Sequence, residues 1–170
     1  MTSKDITIRA AQPDDLPRVA EMHYASWRRS WAGIVIEPLL DILGPPQRWV
    51  AEVYPQNLGR PGWAMWIAES GRRTVGVTIF GPDEEEPGSI QIDALYVADD
   101  RQRHGIGRRL VHTVLDAHPS GDVILWCAEK NAKARRFYEK NSFYADGRTR
   151  DWEPLPGVKV AHLGYRLSRR

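Results

Sequence analysis

The segment from Ser89 to His118 constrains the fold of this chain more than any other part of it. Ile90 to Val97 is rich in apolar and β-branched residues and predicts a strand. A basic stretch with two glycines follows, and the apolar spacing from Gly105 to His118 predicts a helix. A strand that leads through a glycine turn into a helix presents free backbone N–H groups and the positive end of the helix dipole. The segment therefore predicts a phosphate-binding site at the start of this helix.

The other segments predict an α/β sandwich, with a mixed central sheet flanked by helices. An N-cap in the turn Gln12 to Asp15 is expected to open a helix that runs from about Asp15 to about Trp31 and ends at Gly33. The remaining predicted elements are strands at Ile6–Ala10, Trp63–Glu69, Thr74–Phe80 and Asp122–Cys127, a helix at Asn131–Asn141, and closing strands from Phe143 and over Val158–Leu167. The helix from Gly105 crosses over, so the strands ending at Val97 and Cys127 should be parallel and adjacent or nearly so.

Residues 34 to 62 carry the weakest pattern in the chain. Short helices are expected at Ile36–Leu40 and from Pro46 to about Tyr54. Pro55, Gly59, Pro61 and Gly62 are then expected to break the chain. Since the sequence shows no linker and no repeat, residues 1–170 are expected to form a single domain.

Composition excludes several classes of partner. The net charge of +2 over 170 residues predicts neither a nucleic-acid partner nor a membrane partner, and no apolar run approaches the roughly 20 residues that span a bilayer. Residues 1–5 lack the apolar core of a signal peptide. The lone Cys127 is expected in the core, which fits a reducing, cytoplasmic setting. The acidic turn at 81–88 lacks the spacing of a cation cage, so no metal site is expected.

Three glycine motifs compete for the basic loop. A P-loop requires Gly-Lys-Ser/Thr, but Gly107 is followed by two arginines. A dinucleotide loop requires a third glycine where Leu110 stands. The pattern Gln/Arg-x-x-Gly-x-Gly/Ala matches Gln102, Gly105 and Gly107 at every fixed position.

With this motif the chain resembles the GNAT superfamily of N-acetyltransferases, whose acetyl-CoA signature it is. The resemblance extends to Leu95-Tyr96-Val97 before the loop and to the N-x-x-A-x-x-F-Y pattern in residues 131–138. Ile8-Arg9-Ala10 with the Asp-Asp-Leu-Pro of residues 14–17 is also a common opening of the family. The family often has glycine where Ser142 precedes Phe143, which is the one departure. These motifs occur in the family's order along nearly the whole chain.

The resemblance implies a fold and a set of cofactor contacts. The fold would be the GNAT acyl-CoA N-acyltransferase fold, and the co-substrate would be acetyl-CoA, with its pyrophosphate in the loop and its pantetheine arm along the strand edge. Arg109 would add positive charge near that loop, and Asn131 would bond the pantetheine or cap its helix. The cofactor contacts implied are Leu95, Tyr96, Val97, Gln102, Arg103, His104, Gly105, Ile106, Gly107, Arg108 and Asn131.

The resemblance also implies direct attack of a primary amine on the thioester. Tyr138 would protonate the departing thiolate, with a core aromatic as the alternative reading. Some members use a glutamate as base at the place of Gln91; Asp93, two residues on, is the candidate here, and a water-relayed base or none stays open. Ribosomal-protein acetyltransferases of the superfamily carry a glutamate where this chain has Trp126, which argues against that subfamily.

The acceptor is not defined by these motifs. Candidates for its binding site are Tyr24, Trp27, Trp31 and His162, although the i, i+4 spacing of the two tryptophans is more typical of a core position than of a pocket. A small-molecule amine or a peptide amine fits an aromatic cleft, and a homodimer is possible. A catalytically idle CoA-binding domain and a protein N-terminal or lysine acetyltransferase are the alternative functions.

Overall fold

The computed structural model describes residues 6–169 as a seven-stranded sheet with helices on both faces. In chain order its main elements are β1 (Ile6–Ala10), α1 (Leu16–Trp31), α2 (Glu37–Leu43), α3 (Pro46–Arg48), α4 (Tyr54–Leu58), β2 (Ala64–Ser70), β3 (Arg73–Pro82), β4 (Ile90–Val97), α5 (Ile106–Ala117), β5 (Val123–Ala128), α6 (Ala132–Lys140), β6 (Tyr144–Leu155) and β7 (Val158–Leu167). Short 3₁₀ turns lie at Pro13–Asp15 and Asp99–Arg101, and a π-helical turn at Trp49–Val53 joins α3 to α4. The expectation that residues 1–5 carry no signal-peptide core concerns residues outside the described part.

The strand order is β1-β2-β3-β4-β5-β7-β6. β4 and β5 are adjacent and parallel, and every other neighbouring pair is antiparallel. The right-handed crossover through α5 that the sequence predicts requires this arrangement of β4 and β5. The mixed sheet and the parallel pair are therefore both confirmed.

The sheet separates two apolar layers because alternate side chains of each strand point to opposite faces. Val123 and Leu125 of β5 pack with Val111 and Val114 of α5 on one face. The other face carries a larger cluster, which includes the side chains that α1 to α4 contribute. We call these the α5–α6 face and the α1–α4 face.

A β-bulge in β4 interrupts this alternation. Ile79 of β3 pairs with Ala94 and the next residue, Phe80, pairs with Ile92, so Asp93 is an extra residue in β4. Ile92 consequently packs on the α5–α6 face, whereas Ala94 packs on the α1–α4 face. Bulges of this kind redirect side chains and are frequent beside active sites.

The N-cap expected in the turn before α1 is present at Gln12, at the start of the 3₁₀ turn that leads into the helix. Asp15 is buried, and its carboxylate accepts the backbone N–H of Gln12 in a capping box as well as hydrogen bonds from Arg9 and Arg18. Glu69 of β2 bonds the same two arginines. The carboxylate is taken up by this ion cluster, and the pKa of Asp15 is held well below its usual range, chiefly by Arg9.

The break expected at Pro55 is wrong, because helical structure continues through it to Leu58. Pro55 lies in the first turn of α4, where its missing N–H does little harm. The preceding π turn is wide enough for Tyr54 to donate its backbone N–H to the carbonyl of Trp49, five residues earlier. A helix with a local widening thus replaces the expected loop.

Candidate active site

β4 and β5 separate towards their carboxyl ends. Their pairing covers only Ile90–Ile92 on β4 and Val123–Leu125 on β5. β4 nevertheless continues to Val97 and β5 to Ala128. Apart from the Val97 carbonyl, which accepts from the Gln102 side chain, these ends form no ladder with each other and leave backbone groups for a ligand, at the edge where open α/β sheets bind their ligands. We call this opening the cleft.

The start of α5 lies just beyond the cleft and has the backbone of an anion site. Gly105 is the N-cap, with φ of 79° and no side-chain hydrogen bond to the first turn. A Cβ at Gly105 would meet no atom within 4 Å, so the left-handed φ is what requires glycine there. Arg103 also has a positive φ, of 65°. The first helical turn has no side-chain cap, and its N–H groups fit a pyrophosphate.

Several side chains of the signature hold the loop in place. The Gln102 side-chain amide donates to the carbonyl of Val97 at 3.1 Å and to Asp99 at 2.9 Å, while its oxygen accepts from Lys133 of α6. Arg109 donates to the carbonyl of Ile6 at 2.9 Å, and this bond directs it to β1.

Gly107 has a packing reason of its own. A Cβ there would lie 3.0 Å from the Phe137 ring of α6. Ile106 is buried beneath the loop, whereas Arg103, His104 and Arg108 are exposed on it. Of the charged side chains in this stretch, Arg103 and Arg108 are the ones that face solvent, where an anion would arrive.

Asn131 and Tyr138 bring α6 to the cleft. The Asn131 side-chain oxygen accepts from the Ala134 N–H at 3.1 Å, so Asn131 is the helix N-cap and its amide remains a donor. Tyr138 is buried, and burial together with the nearby Cys127 and Tyr96 raises the pKa of its phenol. The phenol therefore stays protonated at neutral pH and can act only as a proton donor there.

Two of the four predicted acceptor residues come together on the α1–α4 face. The Trp31 indole donates to the Tyr96 hydroxyl at 3.3 Å, and the rings of Trp31 and His162 are 5.8 Å apart. Trp152 completes the group, with its ring 4.9 Å from that of Trp31. Burial lowers the pKa of His162. An aromatic wall from α1, β6 and β7 thus lies beside Tyr96 of β4.

The other two acceptor candidates, Tyr24 and Trp27, continue this aromatic group along α1, since the Trp27 ring is 5.9 Å from that of Trp31. Tyr24 stacks on Trp27, and both rings meet the edge of Trp49 with centroids 5.6 and 5.5 Å away. The Tyr24 hydroxyl bonds the carbonyl of Leu40 at 3.4 Å. These contacts attach α1 to the segment 37–58, and the acceptor role of Tyr24 and Trp27 stays a prediction.

Asp93 stands in the cleft as the extra residue of the bulge. Its carboxylate is exposed and accepts a hydrogen bond from the Asn57 amide at 3.2 Å. The protein around it nevertheless desolvates the charge and raises its pKa, against the opposite pull of Arg60 and Arg150. A carboxyl of this kind holds a proton more readily than an ordinary aspartate.

Comparison with known proteins identifies the family of this site. Residues 22–143 match the model of the acetyltransferase (GNAT) family. The chain belongs to the GNAT acetyltransferase family. A probable N-acetyltransferase of Mycobacterium tuberculosis is 61% identical over 99% of this chain and 97% of its own length. An uncharacterized N-acetyltransferase of Bacillus subtilis is 26% identical over 94% of this chain and 91% of its own.

Solved structures share the fold. The PaiA N-acetyltransferase of Thermoplasma acidophilum, solved in complex with coenzyme A, superposes with a TM-score of 0.70 at 17% identity and covers 93% of this chain and 97% of its own. A GCN5-related N-acetyltransferase of Rhodopseudomonas palustris gives a TM-score of 0.75 at 19% identity, with 99% of each chain covered. The predicted fold class and the prediction of an N-acetyltransferase are therefore confirmed.

This GNAT chain contains site residues that sequence reasoning missed. Asn57 and Arg60 lie in the segment of weakest pattern, and nothing in their spacing indicates the cleft. Arg150 of β6 is opposite His162 of β7, which is itself opposite Ala128 of β5. The position of Arg150 near the cleft follows from this register, and the register depends on the order of the last two strands in the sheet.

Three further findings concern the rest of the described chain. Cys127 is buried, and burial raises the pKa of its thiol to about 12, which excludes a thiolate at neutral pH and confirms its place in the core. Among residues 6–169, no three His, Cys, Asp or Glu side chains are grouped so that they could hold a metal. None of the helices described is both long and apolar enough to cross a membrane.

Proposed function

We propose that this chain transfers an acetyl group from acetyl-CoA to a primary amine by direct attack on the thioester. The observation that carries the proposal is the cleft between β4 and β5, with the uncapped start of α5 at its mouth. The exposed backbone of this helix start would hold the pyrophosphate. The unpaired edge of residues 95–97 would bond the pantetheine amides. Asn131 would add its free amide, and Gln102 would keep the loop in place.

Two residues would move protons during the transfer. Asp93 would take the proton that the amine must lose before or during attack, directly or through a water, because its pKa is raised from that of an ordinary aspartate. The new bond joins the amine nitrogen to the acetyl carbon, and the carbon–sulfur bond breaks. Tyr138 would donate its proton to the departing thiolate and regain one from solvent, since its own pKa is raised.

The first experiment tests acetyl-CoA binding and turnover together. We expect acetyl-CoA to bind in calorimetry and a panel of amines and peptides to include acceptors that release the free thiol of CoA. Binding without thiol release from any amine or peptide would favour the idle CoA-binding alternative, and no binding at all would contradict both. Turnover of peptides alone would favour the protein acetyltransferase.

The second experiment tests Tyr138. Tyr138→Phe removes the proton donor and keeps the ring, so we expect kcat to fall by about 10²-fold or more while the Kd for CoA stays within about twofold. Tyr144→Phe is the matched control, because Tyr144 is half exposed on β6, and it should leave both quantities unchanged. A Tyr138→Phe enzyme with full turnover would leave Tyr138 with a packing role only.

The other expectations fit the proposal. Residues 1–170 would act as a single domain, and the lone, buried Cys127 suits a reducing, cytoplasmic setting. A second copy of the chain is not required by this mechanism, since every residue named in it comes from one chain.

A further inference from the structure

Two arginines on the α1–α4 side of the cleft have no carboxylate partner. Arg60 follows α4 and Arg150 lies in β6, and the charges of both act on Asp93. Neither takes part in a salt bridge with any other residue in the described chain. Most other arginines near a carboxylate do so, as Arg9 and Arg166 illustrate. These two guanidinium groups therefore have hydrogen-bond donors to spare.

Each of these guanidinium groups lies on a tryptophan ring. The central carbon of Arg60 is 3.4 Å from the ring centre of Trp63, and that of Arg150 is 4.4 Å from the ring centre of Trp126. Stacking covers the face of a guanidinium and leaves its N–H edge available for a planar, two-point bond. Carboxylates match this edge better than any neutral group does.

The position of Arg60 is fixed by a neighbour that also contacts Asp93. Asn57 accepts a hydrogen bond from the Arg60 guanidinium at 3.2 Å and donates one to Asp93 at 3.2 Å. Burial lowers the pKa of Arg150, which is the direction expected for a cation that has lost water without gaining a bonded anion. Asp83 and Glu85 of the acidic turn also act on Arg150, but neither forms a salt bridge with it within residues 6–169.

The cleft places the carboxylate of Asp93 near the two guanidinium groups of Arg60 and Arg150, and this combination of charges favours one class of acceptor. This inference rests on the proposed function. We propose that the acceptor is a small amine that carries a carboxylate in the same molecule, as free amino acids do, with its carboxylate on the edges of Arg150 and Arg60 and its amine at Asp93. A polyamine has no anionic group for the arginines and would be repelled by both.

The test compares acceptors that differ only in the carboxylate. The probes are the free amino acids and their α-carboxamides, with β-alanine and γ-aminobutyrate to vary the spacing and spermidine as the polyamine. We expect at least one acid to exceed its amide by about tenfold or more in kcat/KM, a difference of about 1.4 kcal/mol. Arg150→Gln should remove that preference, mainly because KM for the acid rises to that of its amide. Lys159→Gln, on an exposed cation of β7, is the matched control and should keep the preference.

Two kinds of failure are distinguishable. If amides or spermidine match the acids in the unmodified enzyme, or if Arg150→Gln keeps the preference, the carboxylate assignment is overturned while the proposed function stands. If acetyl-CoA binds and no amine of any kind releases free CoA, the proposed function fails and this inference fails with it.

Discussion

At the scale of single residues, Asp93 has the most unusual setting in the cleft. It is the extra residue of the β4 bulge, and the bulge is what allows the side chains on either side of it to serve opposite faces of the sheet. A regular strand would place Ile92 and Ala94 on the same face. Asp93 is therefore held at the point where β4 parts from β5, with Asn57 to orient it. Its raised pKa makes its carboxylate a stronger base than that of an ordinary aspartate.

This setting predicts a pH effect of Asp93→Asn. The acceptor amine ionises near pH 10, so log(kcat/KM) should rise with unit slope across neutral pH. Asp93 acts as base only when ionised, so below its raised pKa the slope of the unmodified enzyme should steepen toward two. Asp93→Asn should lower kcat/KM by about 10²- to 10⁴-fold and keep unit slope throughout.

The control for this experiment is Glu84→Gln in the exposed acidic turn, which should leave both rate and slope unchanged. If Asp93→Asn keeps the steep acid limb, another group accepts the proton, and a base relayed by water from elsewhere becomes the mechanism to test.

At the scale of secondary-structure elements, the contact between α5 and α6 joins the phosphate loop to the tyrosine helix. Gly107 lets the Phe137 ring approach the α5 backbone, since a Cβ there would be 3.0 Å from the ring. Lys133 of α6 also bonds Gln102 of the loop. α5 and α6, which follow different strands of the sheet, are thus in contact at the place where the cofactor and the catalytic groups must be aligned.

Gly107→Ala should therefore lower the free energy of unfolding by about 1–3 kcal/mol, because the added methyl group overpacks the contact. Phe137→Leu replaces the ring with a smaller side chain and relieves part of this overpacking. The double variant should therefore lose less free energy of unfolding than the sum of the two single losses. Urea denaturation of all four proteins gives this coupling. Strict additivity would mean that the two residues do not constrain each other.

The contrast between Gly105 and Gly107 shows what sequence alone could and could not provide at this scale. The motif spacing predicted the loop, the helix and their order, because glycine, charge and apolar period are local signals. It did not distinguish a glycine kept for its positive φ from one kept for a ring on another helix. The second reason depends on packing between distant segments.

At the scale of the whole molecule, local sequence pattern predicts the sheet, whereas the residues of the cleft depend on pairing between distant segments. Strands and the parallel crossover follow from local pattern and from the handedness of connections. The register that puts Arg150 opposite His162 depends on pairing between β6 and β7, and a shift of one residue would turn Arg150 to the other face. The ion cluster around Asp15 could not be predicted for a related reason, because Glu69, which bonds the same arginines, comes from a distant strand.

The buried residues of the α1–α4 face make stability depend on pH in a way that one side chain dominates. His23 of α1 bonds the Tyr54 hydroxyl at 3.0 Å and lies 4.6 Å from the Trp49 ring and 4.7 Å from that of Tyr96, between centroids. Burial lowers its pKa to about 3. An unfolded chain binds a proton at this histidine near pH 6.5, whereas the folded chain does not until about pH 3.

The contribution of His23 to the free energy of unfolding should therefore be complete above about pH 6.5. As the pH drops from 6.5 toward 3, the free energy of unfolding should fall by up to about 1.4 kcal/mol per pH unit from His23 alone. Carboxylates such as Asp15, whose pKa is lowered in the folded chain, add their losses only below about pH 4, and Asp93, whose pKa is raised, acts in the opposite direction to His23. His23→Gln should be less stable at pH 7 and show a flatter decline from pH 6.5 to 4 in urea titrations. His118→Gln is the control, because His118 is only half-buried, although burial also lowers its pKa. This variant should keep most of the decline in the free energy of unfolding between pH 6.5 and 4. Equal slopes for His23→Gln and the unmodified chain would show that His23 is protonated in the folded state and that this face admits water.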